Sequence, residues 1–231
     1  MESISELYCA KQAPMAQRAK TIVGAVGWVF VGLGLALLAF GAWAIAPFSL
    51  KPFYVIRTAE LVLKAPFTER MVIGDSRVSF AEAPSGSLFA GYGGATSRDL
   101  ERVSGILCTL SNAQVTIALG INDTKPWEHD EAGSRRAFGK IVANCQRDHL
   151  WLSAIWPAEA SMPPGGKAYD PVMTATLNAH LEALAQRAGA RFMSAPQMQP
   201  NYTYDGVHFT EPVSHDYARR LAYPEQVLAS P

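Results

Sequence analysis

Short, mostly apolar runs that break into glycine-bearing turns recur from residue 70 onward, and this rhythm leaves few folds open to the chain. Met71-Val72-Ile73 breaks at Gly74-Asp75-Ser76, a second run ends at Gly91-Tyr92-Gly93-Gly94, and a third ends at Gly120-Ile121-Asn122-Asp123. Runs of this length suit strands buried on both faces, and helix-length segments separate them, as βαβ units require. The pattern predicts strands over Arg70–Ile73, Ser87–Ala90, Val115–Leu119, Leu150–Ile155 and Arg191–Met193. Between them, Asp99–Leu110 carries Leu100, Val103, Leu107 and Leu110 at helical spacing. Glu131–Cys145 carries Phe138, Ile141 and Val142, and Met173–Ala188 carries Leu177, Leu181, Leu184 and Ala185. A last helix is expected from about Val213 to Tyr223. The fold class is therefore α/β, with a parallel sheet.

The N-terminal part has a different composition. From Thr21 to Leu50 no residue is charged, and Ile22–Ala46 is nearly all Val, Leu, Ala, Gly, Phe and Trp. At about 1.5 Å rise per residue such a stretch crosses a bilayer core of roughly 30 Å. One transmembrane helix is expected over 21–47, after a cytoplasmic segment, 1–20, and before a juxtamembrane connector, 48–68, and a domain over 69–231. A cleaved signal peptide is the alternative, with Ala42-Trp43-Ala44 as a cleavage-like site, but the apolar stretch exceeds the usual length and a polar segment precedes it. Arg18 and Lys20 cluster before the stretch while Lys51, Arg57 and Lys64 are spread after it, which favours an N-in, C-out topology. Tyr54–Leu63 is read as a short amphipathic helix near the bilayer surface. Cys108 and Cys145 form an even pair that an oxidising compartment could join, the other reading being two buried thiols. Lys plus Arg and Asp plus Glu number 20 each, with no basic face, so no nucleic-acid partner is expected.

In a parallel sheet the carboxyl ends of all strands face one edge, so the glycine turns and the later Asp205-Gly206-Val207-His208 can meet in one cleft. Ser76 is the candidate nucleophile, a poor one until a base takes its proton. His208 is the candidate base, since an imidazole accepts that proton and returns it to a leaving alcohol near neutral pH. Asp205, three residues earlier, is placed to hold the other ring nitrogen. Charge developing on an ester carbonyl oxygen needs oriented donors, for which the backbone N–H of Ser76, the N–H of Gly94 and the amide of Asn122 are the candidates; Gly91 or Gly93 could replace Gly94. Asp75, Asp123 and Tyr204 are candidate substrate contacts, Asp123 also fitting a structural loop role. Trp156, Tyr169, Tyr202 and Tyr204 are aromatics expected to flank the cleft, either stacking on a sugar or acyl group or packing among themselves, and the Ser161–Gly166 loop is expected to shape its entrance. His129, His149, His180 and His215 lack metal-ligand spacing, so no metal and no cofactor are expected.

These four blocks, in this order, resemble those of the SGNH or GDSL hydrolases. Gly74-Asp75-Ser76 matches the nucleophile block and Gly94 the glycine block. Gly120-Ile121-Asn122-Asp123 matches Gly-x-Asn-Asp, and Asp205-Gly206-Val207-His208 matches Asp-x-x-His. The likeness covers about residues 69–223, with Ala95 standing where many relatives carry a polar residue. It implies a three-layer α/β/α fold with a flavodoxin-like sheet of order 2-1-3-4-5, a serine esterase activity on acyl esters, and no cofactor. It also implies acetyl transfer to or from polysaccharides as an activity of some relatives. With that strand order the helices carrying Cys108 and Cys145 are neighbours, so a disulfide between them is topologically open. The reading that follows is a single-pass bacterial inner-membrane esterase with an extracytoplasmic domain, acting on an acetylated envelope glycan. The alternatives are an O-acetyltransferase, a lipase or thioesterase, and a non-catalytic subunit of a polysaccharide export machinery.

Overall fold

The computed structural model describes residues 31–36, 52–128, 130–145, 149–163 and 165–228. The chain divides into two units, Met1–Pro47 and Phe48–Pro231. Of the first, residues 31–36 are helical. The segment 1–20 and the rest of the expected span, 21–47, lie outside the described residues, as does His129. Among the described residues no helix is long and apolar enough to cross a membrane.

The second unit is built on five parallel strands: β1 (Arg70–Gly74), β2 (Ser87–Gly91), β3 (Gln114–Ala118), β4 (Leu150–Ser153) and β5 (Arg191–Met193). Their order is β2-β1-β3-β4-β5, with Gly74 level with both Gly91 and Ala118, so neighbouring strands end side by side. The helices in chain order are α1 (Pro52–Lys64), α2 (Ser76–Phe80), α3 (Ser97–Leu110), α4 (Glu131–Cys145), α5 (Pro171–Ala188), α6 (Glu211–Ala222) and α7 (Pro224–Leu228).

Strand side chains alternate between the two faces, and two separate cores follow from that alternation. Met71, Ile73, Val115, Ile117, Leu150 and Leu152 pack with Leu100, Leu107, Phe138, Ile141, Leu177 and Leu181 from α3, α4 and α5. Val72 and Trp151 pack on the other face with Val78, Phe209, Tyr217 and Leu221. The result is the three-layer α/β/α arrangement. Every boundary expected for these elements falls within two residues of the one observed, the fourth strand stopping at Ser153 and not Ile155. Beyond it Ile155 leaves the ladder, its N–H donating to Asn178 Oδ1 of α5 at 2.7 Å.

The expected connector is a correction. Residues 52–64 form α1, whose Tyr54 and Leu61 are buried in the first core, as is Ala65 in the turn that follows. Thr58 Oγ1 lies 3.0 Å from Tyr92 Oη, and Arg57 donates to Phe89 O at 2.9 Å. This helix is therefore packed into the domain through Tyr54 and Leu61, against β2 and α3, while its Phe53, Ile56 and Leu63 stay exposed.

Cys108 of α3 and Cys145 at the end of α4 are joined by a disulfide, with Cα atoms 5.2 Å apart and both side chains fully buried. The bridge closes a separation of 37 residues, which in the chain-entropy account stabilises the fold by about 3–4 kcal/mol. Replacing both cysteines with alanine is expected to lower the denaturation midpoint and to abolish its dependence on reductant. Equal midpoints for the unaltered protein with and without reductant would show that the bridge carries no stability.

Candidate active site

Ser76 begins α2 directly after β1, and the chain reaches it through a tight junction. A Cβ at Gly74 would stand 2.2 Å from Ala118 O and 2.3 Å from Val78 Cγ2, so no larger residue lets α2 fold back onto the strand ends. Asp75 caps that helix, accepting from the Arg77 N–H at 3.0 Å. Ser76 is consequently held rigidly and only 7% exposed.

His208 lies 132 positions later in sequence, yet its Nε2 is 3.0 Å from Ser76 Oγ. Its Nδ1 is 2.6 Å from Asp205 Oδ2. Asp205 Oδ1 accepts from the backbone N–H of Val207 at 2.9 Å and of His208 at 2.7 Å, which closes the Asp-x-x-His turn on itself. Burial raises the Asp205 pKa, but the hydrogen bonds from the His208 side chain and backbone and from the Val207 N–H outweigh it, so the carboxyl is held below its ordinary value. An ionised carboxylate only accepts, so Nδ1 donates to it, and the neutral ring leaves Nε2 to accept the Ser76 hydroxyl proton.

Candidate oxyanion donors sit at the next two strand ends. The turn after β2 carries Gly94 at φ +72°, a left-handed conformation that favours glycine. Its register is set by the Tyr92 N–H donating to Gly74 O at 3.0 Å and by Tyr54 Oη donating to Gly93 O at 2.6 Å. Asn122 Nδ2 donates to Ala95 O at 2.9 Å, which links the third block to the glycine block and uses one of its two amide hydrogens. Ala95 is fully buried, so an apolar residue suits the position.

The substrate roles expected for Asp75 and Asp123 do not hold. Both are buried beneath the site, at 2% and 0% exposure. Asp123 accepts from Ser97 N at 2.9 Å, Ser97 Oγ at 2.6 Å and Ser134 Oγ at 2.6 Å, tying the Asn122 turn to the first turns of α3 and α4. Burial pushes the pKa of both carboxyls up. Trp156 is likewise no cleft residue, being 2% exposed between Phe209 and Tyr217. Tyr202 and Tyr169 are half-buried against the two cores. Tyr204 does stand at the opening, 61% exposed and stacked on His208 at 5.9 Å between ring centroids.

Three residues escaped the sequence reading. Phe80, 64% exposed, sets its ring edge-on to His208 at 4.9 Å, opposite in kind to the stacked Tyr204. Glu159, buried, accepts from Asn201 N at 2.6 Å, Thr203 N at 3.0 Å and Thr203 Oγ1 at 2.7 Å, and so fixes the loop leading to Asp205. Burial raises its pKa, but these bonds outweigh it and leave the carboxyl below its ordinary value. The third is Arg77, buried behind Ser76. No spacing or composition marks any of them, because their partners are mostly backbone atoms and one loop's ring.

A cleft of about 890 Å³ opens beside His208, lined by Phe80, Glu82, Tyr204, Glu211 and His215, with Arg77 and Phe209 also in its wall. Among the described residues no group of three His, Cys, Asp or Glu is arranged to hold a metal ion.

The arrangement of fold and relay defines a three-layer α/β/α protein with a Ser-His-Asp hydrogen-bonded set at the carboxyl edge of its sheet. Solved structures share that fold. A carbohydrate acetylesterase from Sinorhizobium meliloti is similar with a TM-score of 0.57 and 16% identity, over 70% of this chain and 99% of that one. A lipase/acylhydrolase from Enterococcus faecalis gives 0.57 and 13%, over 70% and 97%. An aryl esterase from M. smegmatis gives 0.56 and 20%, over 70% and 99%. No family model and no curated protein matches the chain.

Proposed function

We propose that the protein is a serine carboxyl-ester hydrolase of the SGNH kind, acting through an acyl-enzyme on Ser76. The observation that carries this reading is the continuous relay from Ser76 Oγ through His208 to the Asp205 carboxylate, at 3.0 and 2.6 Å. As Ser76 Oγ attacks the ester carbonyl carbon, His208 Nε2 takes the hydroxyl proton and Asp205 stabilises the imidazolium. The carbonyl oxygen gathers negative charge, for which the N–H groups of Ser76 and Gly94 and the free amide hydrogen of Asn122 are the donors. The carbon–oxygen bond to the leaving group then breaks, and His208 returns its proton to the departing alkoxide. Water repeats the sequence: His208 takes its proton, hydroxide adds to the acyl carbon, and Ser76 Oγ leaves with that proton.

The alcohol lies on the His208 side, since His208 must protonate it. There the exposed rings of Phe80 and Tyr204 border a cleft with Glu82, Glu211 and His215 around it. Aromatic faces beside hydrogen-bonding side chains suit a hydroxylated alcohol such as a sugar, and the fold relative from Sinorhizobium meliloti is a carbohydrate acetylesterase. The substrate of this reading is an acetylated envelope glycan. Membrane anchorage through 21–47, with the domain extracytoplasmic, is supported by the uncharged stretch and by the Cys108–Cys145 bridge. An acceptor sugar in the same cleft would replace water and make the protein an O-acetyltransferase.

The test uses the full chain in detergent with 4-nitrophenyl acetate and acetylated oligosaccharides, with and without a free oligosaccharide acceptor. Acetate release to water supports the esterase, and acetyl appearing on the acceptor faster than in water supports the transferase. Absence of both sinks the reading.

A further inference from the structure

Arg77 is a buried cation with an unusual partner set. It is 3% exposed, and no carboxylate is bonded to its guanidinium among the described residues. Three backbone carbonyls take its hydrogens instead: Nε donates to Val207 O at 2.9 Å, Nη2 to Pro157 O at 2.9 Å, and Nη1 to Trp156 O. The planar group lies over the Phe209 ring, 4.4 Å from its centroid. Taking a guanidinium out of water is costly, so a residue that served only to fill this space would be better apolar. What the charge supplies is geometry. Arg77 follows Ser76 in sequence, Val207 precedes His208, and Trp156 and Pro157 belong to the loop after β4. One rigid fork therefore ties the nucleophile's helix to the base's loop and ties both to the end of the sheet.

We propose that Arg77 is the positioning residue of this site: its fork, whose three hydrogen bonds all go to backbone carbonyls, fixes the separation of Ser76 Oγ from His208 Nε2 and so sets the rate of acyl transfer. The inference rests on the ester-hydrolase reading. Two features make the fork more than a packing device. Its Val207 bond is made to the residue next to His208, so losing it releases the backbone that aims the imidazole. Beyond the Asp205 turn, the Phe80 and Tyr204 rings touch the imidazole only from the open cleft, where both are exposed.

Lysine keeps the charge but presents a single ammonium, which cannot meet three carbonyls at the spacing of the fork. Arg77→Lys is expected to lower kcat on 4-nitrophenyl acetate about ten- to a hundredfold, the size of effect that follows a misplacement near 1 Å. KM should stay within about twofold, and the rate of labelling of Ser76 by a fluorophosphonate should fall with kcat. Thr116→Val is the control, since it removes a buried bond from Thr116 Oγ1 to Leu221 O, 2.9 Å, away from the relay, and should lower the melting point while leaving kcat alone. A folded Arg77→Lys protein with unaltered kcat overturns the inference, as does a loss confined to KM. If that variant does not fold, Arg77→Met provides the second test: it fills the space without the fork, so kcat should fall at least as far with KM kept, and an unaltered kcat overturns the inference. A wild-type chain without ester hydrolysis would instead overturn the functional reading itself.

Discussion

His208→Ala should cut kcat for ester hydrolysis by about 10⁴- to 10⁶-fold while leaving the fold and KM nearly unchanged. The imidazole is the sole group within hydrogen-bond reach of Ser76 Oγ among the described residues, at 3.0 Å from Nε2. Without it the hydroxyl must attack still carrying its proton, and the leaving alkoxide must depart unprotonated. Ser76→Ala should cost about as much, and the double variant little more than either alone, because the two residues act as one unit. Steady-state kinetics with circular dichroism checks this. Losses that multiply would mean that Ser76 and His208 contribute separately, which a relay does not allow.

Asp205→Asn is expected to cost about 10⁴-fold in kcat with the loop geometry retained. Asn Oδ1 can still accept from the N–H groups of Val207 and His208, now 2.9 and 2.7 Å from the carboxylate. Its NH₂ then occupies the place of Oδ2 and faces Nδ1 as a donor. To avoid two opposed donors the imidazole moves its proton to Nε2, and that nitrogen can no longer accept from Ser76. The pH dependence follows with a definite sign. The folded-state pKa of Asp205 is depressed, so its stabilisation of the turn is complete above the ordinary aspartate value of 3.8 and is lost as the pH falls through the lower folded value. The Asn variant should lack that acid-side loss of stability, measured as the melting point from pH 5 down to about pH 2. An identical acid limb in both proteins would mean that Asp205 is not the group responsible.

The sheet and the relay were readable because both depend on local pattern. Apolar runs that stop at Gly74, Gly91 and Gly120 mark strand ends, and Asp205 with His208 three residues on marks a turn closed by its own carboxylate. What pattern could not reveal was where a side chain's hydrogen bonds go. Arg77 and Glu159 serve carbonyls and amides of distant loops, and backbone atoms leave no signature in composition. Trp156 reads as a cleft aromatic until Phe209 and Tyr217 close over it. Asp123 sits in the Gly-x-Asn-Asp block but points into the protein, where Ser97 and Ser134 hold it. The α1 segment was legible as an amphipathic helix, yet which surface its buried face meets depends on Tyr92 and on α3, brought there by the fold.

The identity of the nucleophile is tested most directly by labelling the full chain with a fluorophosphonate and sequencing its tryptic peptides by mass spectrometry. Trypsin cuts after Arg70 and Arg77, so Ser76 leaves in the peptide Met71–Arg77, where it is the one serine. The account predicts that this peptide carries the phosphonyl group on Ser76, with labelling suppressed at least a hundredfold in His208→Ala, on the order of the general-base contribution. An ester-hydrolysing protein in which Met71–Arg77 remains unmodified while another serine takes the label would contradict it.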